Sequence, residues 1–154
     1  MLLLLSLLIG IVAGLRAMTA PAAVSWAAYL GWLQLDGTWL AFLGHVVTPW
    51  IFTALAAVEF VTDQLPSTPS RKVPVQFSAR IVSGAVCGAA IGASGGNLWG
   101  GAIAGAIGAV IGTLGGAEAR QRLVAATGGN DRPIAFLEDG VAIVLAFVAV
   151  ACAA

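Results

Sequence analysis

The chain has 154 residues, which is room for one domain over residues 1–154. It is 60% hydrophobic and 9% charged, whereas a soluble domain carries about 25% charged residues. Because so few polar groups cannot cover a wetted surface, we expect lipid to surround most of it. The formal net charge is zero, so no overall basic field attracts nucleic acid. The composition predicts an all-α, polytopic transmembrane bundle whose main partner is the lipid bilayer.

The first apolar stretch, Leu2 to Leu33, is too long for one straight membrane span, which needs about 20 residues. It is interrupted between Gly14 and Pro21, with Arg16 inside the interruption. Glycine and proline at such positions permit a kink or an unwound turn. We therefore predict a first span that is broken or strongly kinked, with the break at Gly14 and Pro21.

Four further apolar segments follow, which gives about five spans in total. We place them at residues 49–64, 77–93, 98–114 (continuing in more polar form to 124) and 134–154. Two polar stretches between them, 64–76 and 120–133, together with the start of the third span hold six of the seven basic residues, Arg71, Lys72, Arg80, Arg120, Arg122 and Arg132. With five spans, Met1 and these loops share one side, which the positive-inside rule makes cytoplasmic.

Glycines recur along the third and fourth spans at intervals of three or four residues: Gly84, Gly88, Gly92, Gly101, Gly105, Gly108 and Gly112. In lipid, such faces let helix backbones approach closely. The pattern predicts glycine-zipper packing of these two spans. It leaves open whether the partner helix belongs to the same chain or to a second subunit, so a homodimer is also expected.

Arg16 is the one basic residue outside the two polar stretches and the start of the third span, and it lies well inside an apolar helix. Charged groups at membrane depth are costly and usually have a function or a partner. At a helix break, free backbone groups add to such a site. We predict an anion contact or a charge partner for an acidic residue. The alternative is that Arg16 extends to the outer headgroups.

The carboxylates form a second candidate set. Glu59 and Asp63 are four residues apart on one helix face, and Glu138 and Asp139 open the last span. Together with Arg80 they are predicted to converge on a buried cluster that could guide an ion or a proton. The alternatives are interfacial carboxylates paired with loop cations, and first-turn acids favoured by the helix dipole.

Enzyme motifs are missing: the sequence has no HExxH, P-loop or GxSxG pattern, and its one histidine, His45, has no metal-ligand spacing. Cys87 and Cys152 lie in apolar runs without a CxxC partner. We therefore expect neither catalysis nor a metal or other cofactor.

Several short motifs occur in an order that resembles the domain of unknown function 4126 family of small bacterial membrane proteins. They are Gly14-Leu15-Arg16 with Pro21, Glu59 with Leu65-Pro66, Pro74 and Ala79-Arg80 with Gly84, and Gly129-Asn130 with Pro133 and Glu138. The resemblance spans most of the chain. It implies a multi-span protein of the inner membrane and supplies no activity.

Taken together, these features predict a small transporter or channel for an ion or small solute that acts as a dimer. Its pathway would use Arg16, Glu59, Asp63, Arg80, Glu138 and Asp139. Two alternatives remain: a structural or assembly protein whose glycine faces bind partner helices, and a lipid-phosphate flippase. The sequence leaves the charge of the substrate open.

Overall fold

The computed structural model describes all 154 residues, and every regular element in it is a helix. The helices are α1 (Leu2–Leu15), α2 (Thr19–Tyr29), a 3-10 helix (Trp39–Gly44), α3 (Thr48–Thr62), α4 (Pro74–Ser94), α5 (Leu98–Ala126) and α6 (Asp131–Ala151). The all-α prediction is confirmed. Three helices, α4, α5 and α6, are long and apolar enough to cross a membrane, and α1 and α3 are shorter apolar helices. By the length and composition of these helices, the fold is that of a helical membrane protein.

Local sequence accounts for several helix boundaries. Pro49 lies in the first turn of α3 and Pro74 begins α4, positions where a missing N–H breaks no helical hydrogen bond. The side chain of Asn97 accepts a hydrogen bond from the Gly100 N–H at the start of α5. Gly96 has a φ of 74° in the turn before it, a conformation that favours glycine.

Helix α1 runs antiparallel to α4. Leu2 lies against Gly95, just after the end of α4, and the Ser6 hydroxyl donates to the Gly88 carbonyl at 3.1 Å. Ala17, just past α1, accepts a hydrogen bond from Ser83, which is nearer the start of α4. The N-terminal end of α1 thus lies beside the turn that joins α4 to α5.

Helix α2 then returns in the opposite direction. Its start, at Thr19, borders the same cleft as Phe60 near the end of α3, whereas Trp26 packs edge-on against Trp50 near the start of α3. Beyond α2, Trp32 packs on Phe147 in the last turns of α6. The two short helices therefore form a pair that enters the bundle from one end and returns to it.

We call the two ends of the bundle the basic end, which carries the 63–73 loop and the 127–130 turn, and the tryptophan end, which carries the 95–97 turn and the 3-10 helix. The predicted break is present between α1 and α2, but the chain reverses there, so the two segments do not form one broken or kinked span. The prediction that Met1 shares a side with the basic loops is also wrong, since Met1 lines a cavity with Gly95 and Asn97 at the tryptophan end. Hydropathy does not show in which direction a helix runs, so a long apolar stretch is compatible with one kinked span and with two antiparallel helices.

Helices α1, α4 and α5 make the closest contacts of the fold. A Cβ on Gly105 of α5 would lie only 2.9 Å from backbone atoms of Gly84 and Gly88 on α4. A Cβ on Gly14 of α1 would lie 2.6 Å from the backbone nitrogen of Thr113 on α5. These backbones are in contact because glycine has a hydrogen atom in place of a side chain. All seven glycines singled out from the sequence face helices of this chain.

Helices α2, α3 and α6 pack more openly around that trio. Between them lies a cleft of about 430 Å³ with mostly hydrophobic walls, which we call the apolar cleft. Trp26 and Phe147 line it towards the tryptophan end, and Thr19 and Phe60 line it towards the middle of the bundle. The fold thus combines a closely packed half with a half that contains open space.

Candidate functional site

The candidate site lies where the chain reverses between α1 and α2. Arg16 is extended there, with φ −140° and ψ 111°, and its side chain is fully buried. Its guanidinium pairs with Asp63 just after α3 and with Asp139 on α6, and it lies 3.8 Å from Glu138. Asp139 is eight residues into α6, about 12 Å along the helix axis from its start. Arg16 therefore meets acidic partners inside the bundle, and it does not extend to outer headgroups.

The backbone groups left free by the helix break are held by side chains. The Glu59 carboxylate accepts hydrogen bonds from the N–H groups of Ala17 (2.8 Å) and Met18 (2.9 Å), just before α2. Arg80 donates to the carbonyls of Gly14 (3.0 Å) and Leu15 (2.8 Å), at the end of α1. An anion at a helix N-terminus and a cation at a C-terminus both match the helix dipoles. The reversal is therefore electrostatically balanced on both sides.

Two hydroxyl groups complete the hydrogen bonding around the break. Ser83 donates to the Ala17 carbonyl at 2.6 Å, and the Thr113 hydroxyl, which donates to the Ala109 carbonyl at 2.7 Å, also lies 3.3 Å from the Gly14 carbonyl. Both side chains are buried on the glycine-rich helices α4 and α5. Buried carbonyls without partners are costly in an apolar surrounding, so these hydroxyls help to hold the extended segment in place.

A second layer of ion pairs lies between Arg16 and the basic end. Arg71 binds both oxygens of Glu138, at 2.5 and 3.0 Å, and Arg120 lies 3.3 Å from the same carboxylate. Arg120 also binds both oxygens of Asp131, at 2.8 and 2.7 Å. These bidentate contacts are the stronger form of ion pair. They link the 63–73 loop, α5 and α6 through one connected network.

An open cavity of about 590 Å³ at the basic end, which we call the basic cavity, reaches this network. Asp63, Arg71, Arg80 and Arg120 belong both to its wall and to the ion pairs. On the other side of the cluster, the Arg16 guanidinium lies 5.9 Å from the ring of Phe60, which lines the apolar cleft. The ionic cluster therefore lies between a polar cavity and an apolar one.

The six residues predicted as a pathway come together in this region. Arg16, Asp63, Glu138 and Asp139 form one contact group, and Arg80 lies 3.6 Å from Glu59 beside it. Of the predicted break residues, Gly14 is in the last turn of α1, whereas Pro21 is the third residue of α2 and is compatible with its first turn.

Sequence reasoning missed four contributors to the site: Arg71, Arg120, Ser83 and Thr113. The sequence places both arginines in the predicted loop regions, where Arg71 is expected only as a loop charge or as an ion-pair partner of an interfacial carboxylate. Ser83 directly precedes Gly84, and Thr113 directly follows Gly112, so a polar residue beside a glycine at a helix contact was an available signal. No group of three or more histidine, cysteine or acidic side chains is arranged to hold a metal ion.

These features define a class: a helical membrane protein with a chain reversal held inside the bundle by an ionic cluster. Residues 3–153 match the family model described as "Domain of unknown function (DUF4126)", and the chain belongs to that family. The match covers every residue of the candidate site and confirms the resemblance seen in the sequence. No curated protein and no solved structure matches the chain.

Proposed function

We propose that this protein is a small membrane transporter or channel for an ion or small solute. The main support is that the basic cavity leads directly to the buried Arg16 cluster through a shared residue, Asp63. A purely structural ion pair has no need of an open cavity beside it. Buried charges within a bundle usually mark an ion or substrate pathway.

Passage past the cluster requires that Arg16 exchange partners. Its guanidinium contacts carboxylates on two elements, Asp63 after α3 and Asp139 on α6. Helix α3 packs mainly on α2 and the 3-10 helix, and the apolar cleft separates it from α6. A small displacement of the segment that follows α3 would part Asp63 from Arg16, while Asp139 kept the charge compensated and Glu59 kept its hydrogen bonds. The ion pair with Asp63 then acts as the gate.

The topology that accompanies this proposal has α3, α4, α5 and α6 crossing the membrane, with α1 and α2 as a re-entrant pair. Irregular backbone at membrane depth is tolerated where protein surrounds it, as it does at Arg16. The basic end is cytoplasmic by the positive-inside rule, in a bacterial inner membrane, and Met1 is on the opposite side. Trp39 and Trp99, at the tryptophan end, suit the outer interface.

The glycine faces support a rigid framework for this pathway. We propose that α4 and α5 act as a glycine zipper, with α1 packed on the same face of α5. Because these glycines already contact helices of the same chain, a homodimer would use another face. The homodimer remains part of the proposal without a surface assigned to it.

A lipid-phosphate flippase is a second candidate, and the apolar cleft favours it. Thirteen of the fifteen residues that line the cleft are hydrophobic, and its inner end adjoins the ionic cluster. A lipid chain in the cleft would bring its headgroup towards Arg16. This arrangement needs the cleft to be open towards the bilayer.

The proposal is tested by flux into proteoliposomes. Purified protein would be reconstituted, and the movement of protons, K⁺, chloride and phosphate would be followed after a gradient is imposed. We expect at least one of these to move faster than in empty liposomes. Asp63→Asn, which removes the charge of the gate but keeps its shape, should change that rate by about tenfold or more.

Glu118→Gln is the matched control, because Glu118 is exposed and pairs only with Arg122. It should leave the flux unchanged. Protein that is folded and correctly inserted but moves none of the four ions would contradict the ion branch of the proposal. A fluorescent phospholipid that is scrambled in the same liposomes would then support the flippase. An assembly role would be favoured if the protein showed neither ion flux nor lipid scrambling in liposomes, and if its deletion in cells disrupted a complex of other membrane proteins.

A further inference from the structure

The wall of the basic cavity carries an excess of positive charge. Four cationic side chains and two anionic side chains line it, in a chain whose formal net charge is zero. The cationic residues are Arg71, Lys72, Arg80 and Arg120, and the anionic ones are Asp63 and Asp131. Glu138 and Glu59, behind the wall, offset the charges of the three arginines, so Lys72 is the wall cation without an ionic partner and attracts anions to the cavity.

Two of these cations keep unused hydrogen-bonding capacity. Lys72 forms no ion pair, and its side chain is exposed at the cavity wall. Arg80 is only 2% exposed, and its Nε atom has no hydrogen-bond partner. Buried donors are nearly always satisfied in native proteins, so the one free N–H of a guanidinium beside a cavity points to a missing acceptor.

The start of α4 adds a third positive contribution. Gln76, in its first turn, lines the cavity, and the N-cap residue Val73 provides no side-chain acceptor. No acidic residue is present in that first turn. The free N–H groups and the positive end of a 21-residue helix therefore face the same region as Lys72 and Arg71.

We propose that the basic cavity binds a phosphate group, with Lys72 and Arg71 as its contacts and Arg80 as the buried charge behind them. A tetrahedral dianion has enough acceptor oxygens for lysine, arginine and backbone donors together. A volume of about 590 Å³ accommodates a free phosphate ester or the headgroup of a lipid. The inference deepens the proposed function, on which it rests, by naming the chemical class that the cavity receives.

The test is a binding measurement on the full chain in non-ionic detergent, which needs no transport. Inorganic phosphate would be titrated in one arm, at constant ionic strength, and thermal unfolding would report binding. In the other arm phosphatidic acid would be compared with phosphatidylcholine in mixed micelles. We expect stabilisation by phosphate or by phosphatidic acid, and none by phosphatidylcholine. Stabilisation by phosphate identifies a soluble ligand, and stabilisation by phosphatidic acid alone identifies a lipid headgroup.

Lys72→Gln and Arg132→Gln form the matched pair of variants. Both residues are exposed, basic, without an ion pair and at the same end of the bundle, but only Lys72 lines the cavity. We expect Lys72→Gln to weaken binding by about fivefold or more and Arg132→Gln to leave it unchanged. Equal losses in both variants, or no binding in either arm, would overturn the proposal. Binding without flux would sink the transport function alone, and flux without binding would sink only this inference.

Discussion

The two halves of the bundle solve the problem of packing helices in lipid in different ways. Helices α1, α4 and α5 meet backbone to backbone through glycine and leave no room between them. Helices α2, α3 and α6 meet through larger side chains and enclose the apolar cleft. Tight glycine contacts resist movement, whereas side-chain contacts across a cleft can rearrange. Arg16 therefore lies between a rigid half of the bundle and a half whose side chains can rearrange.

The largest effect is expected when the tight half is broken. Gly105→Ala would push a methyl group into the backbones of Gly84 and Gly88, and Gly105 is also in contact with Gly10. Since backbone cannot move aside as a side chain can, we expect a loss of more than about 3 kcal/mol in unfolding free energy. Folded yield and unfolding in mixed detergent micelles would measure it.

Gly115→Ala is the control on the same helix, because nothing lies within 4 Å of the added methyl group. There the substitution should be neutral or stabilise by up to about 1 kcal/mol, as expected from helix propensity. Similar losses at both positions would mean that α5 does not pack through the face that carries Gly105.

Removal of the central charge should have an effect of similar size. Arg16→Met leaves Asp63 and Asp139 facing each other without their shared cation, so we expect a loss of about 3–5 kcal/mol. Arg122→Met, which breaks an exposed pair with Glu118, should cost less than about 1 kcal/mol.

A compensating double variant sharpens that prediction. Arg16→Met combined with Asp139→Asn removes one unpaired negative charge, and it should be more stable than Arg16→Met alone. If the double variant were as unstable as the sum of both single variants, the two side chains would not be coupled. Chemical denaturation of all three variants gives the coupling energy directly.

A moderate effect is expected at the reversal itself. Glu59→Ala leaves the N–H groups of Ala17 and Met18 without an acceptor, for a loss of about 1–3 kcal/mol. Glu59→Gln keeps one acceptor oxygen and should recover part of that loss. Hydrogen exchange of the two amides would speed up in Glu59→Ala, and unchanged exchange would contradict the assigned hydrogen bonds.

The smallest effect is expected in the open half. Ala57→Leu adds three carbons in the apolar cleft, where space exists, and should change stability by less than about 0.5 kcal/mol. If the cleft holds a lipid chain, the variant should retain fewer lipids after purification, as counted by native mass spectrometry. A large loss of stability would show that the cleft is filled by protein.

Much of this arrangement could be predicted from the sequence because it depends on local composition. The helix limits of α4 and α5, the interruption around Arg16 and the convergence of Glu59, Asp63 and Asp139 all follow from hydropathy, glycine and proline. An unpaired charge is costly in an apolar surrounding, so the few charged side chains of this chain are expected to pair with one another.

The direction of the first two helices and the partner of Glu59 could not be predicted, because composition is compatible with more than one arrangement. An apolar run from Leu2 to Leu33 is equally compatible with a kinked span and with two antiparallel short helices. The partner of Glu59 was equally open, because a carboxylate at that depth can bind an arginine or the exposed N–H groups of a helix start. Both choices are made by long-range contacts, such as those of Arg80 with Gly14 and Leu15.

The reversal at Arg16 also determines at which end of the bundle the two termini lie. Leu2 and the C-terminal end of α6 are at the same end, because α2 returns the chain to the end at which α1 began. Reporter proteins fused before Leu2 and after Ala151 should therefore emerge in one and the same compartment. A reporter inserted at Ser70 should emerge in the other.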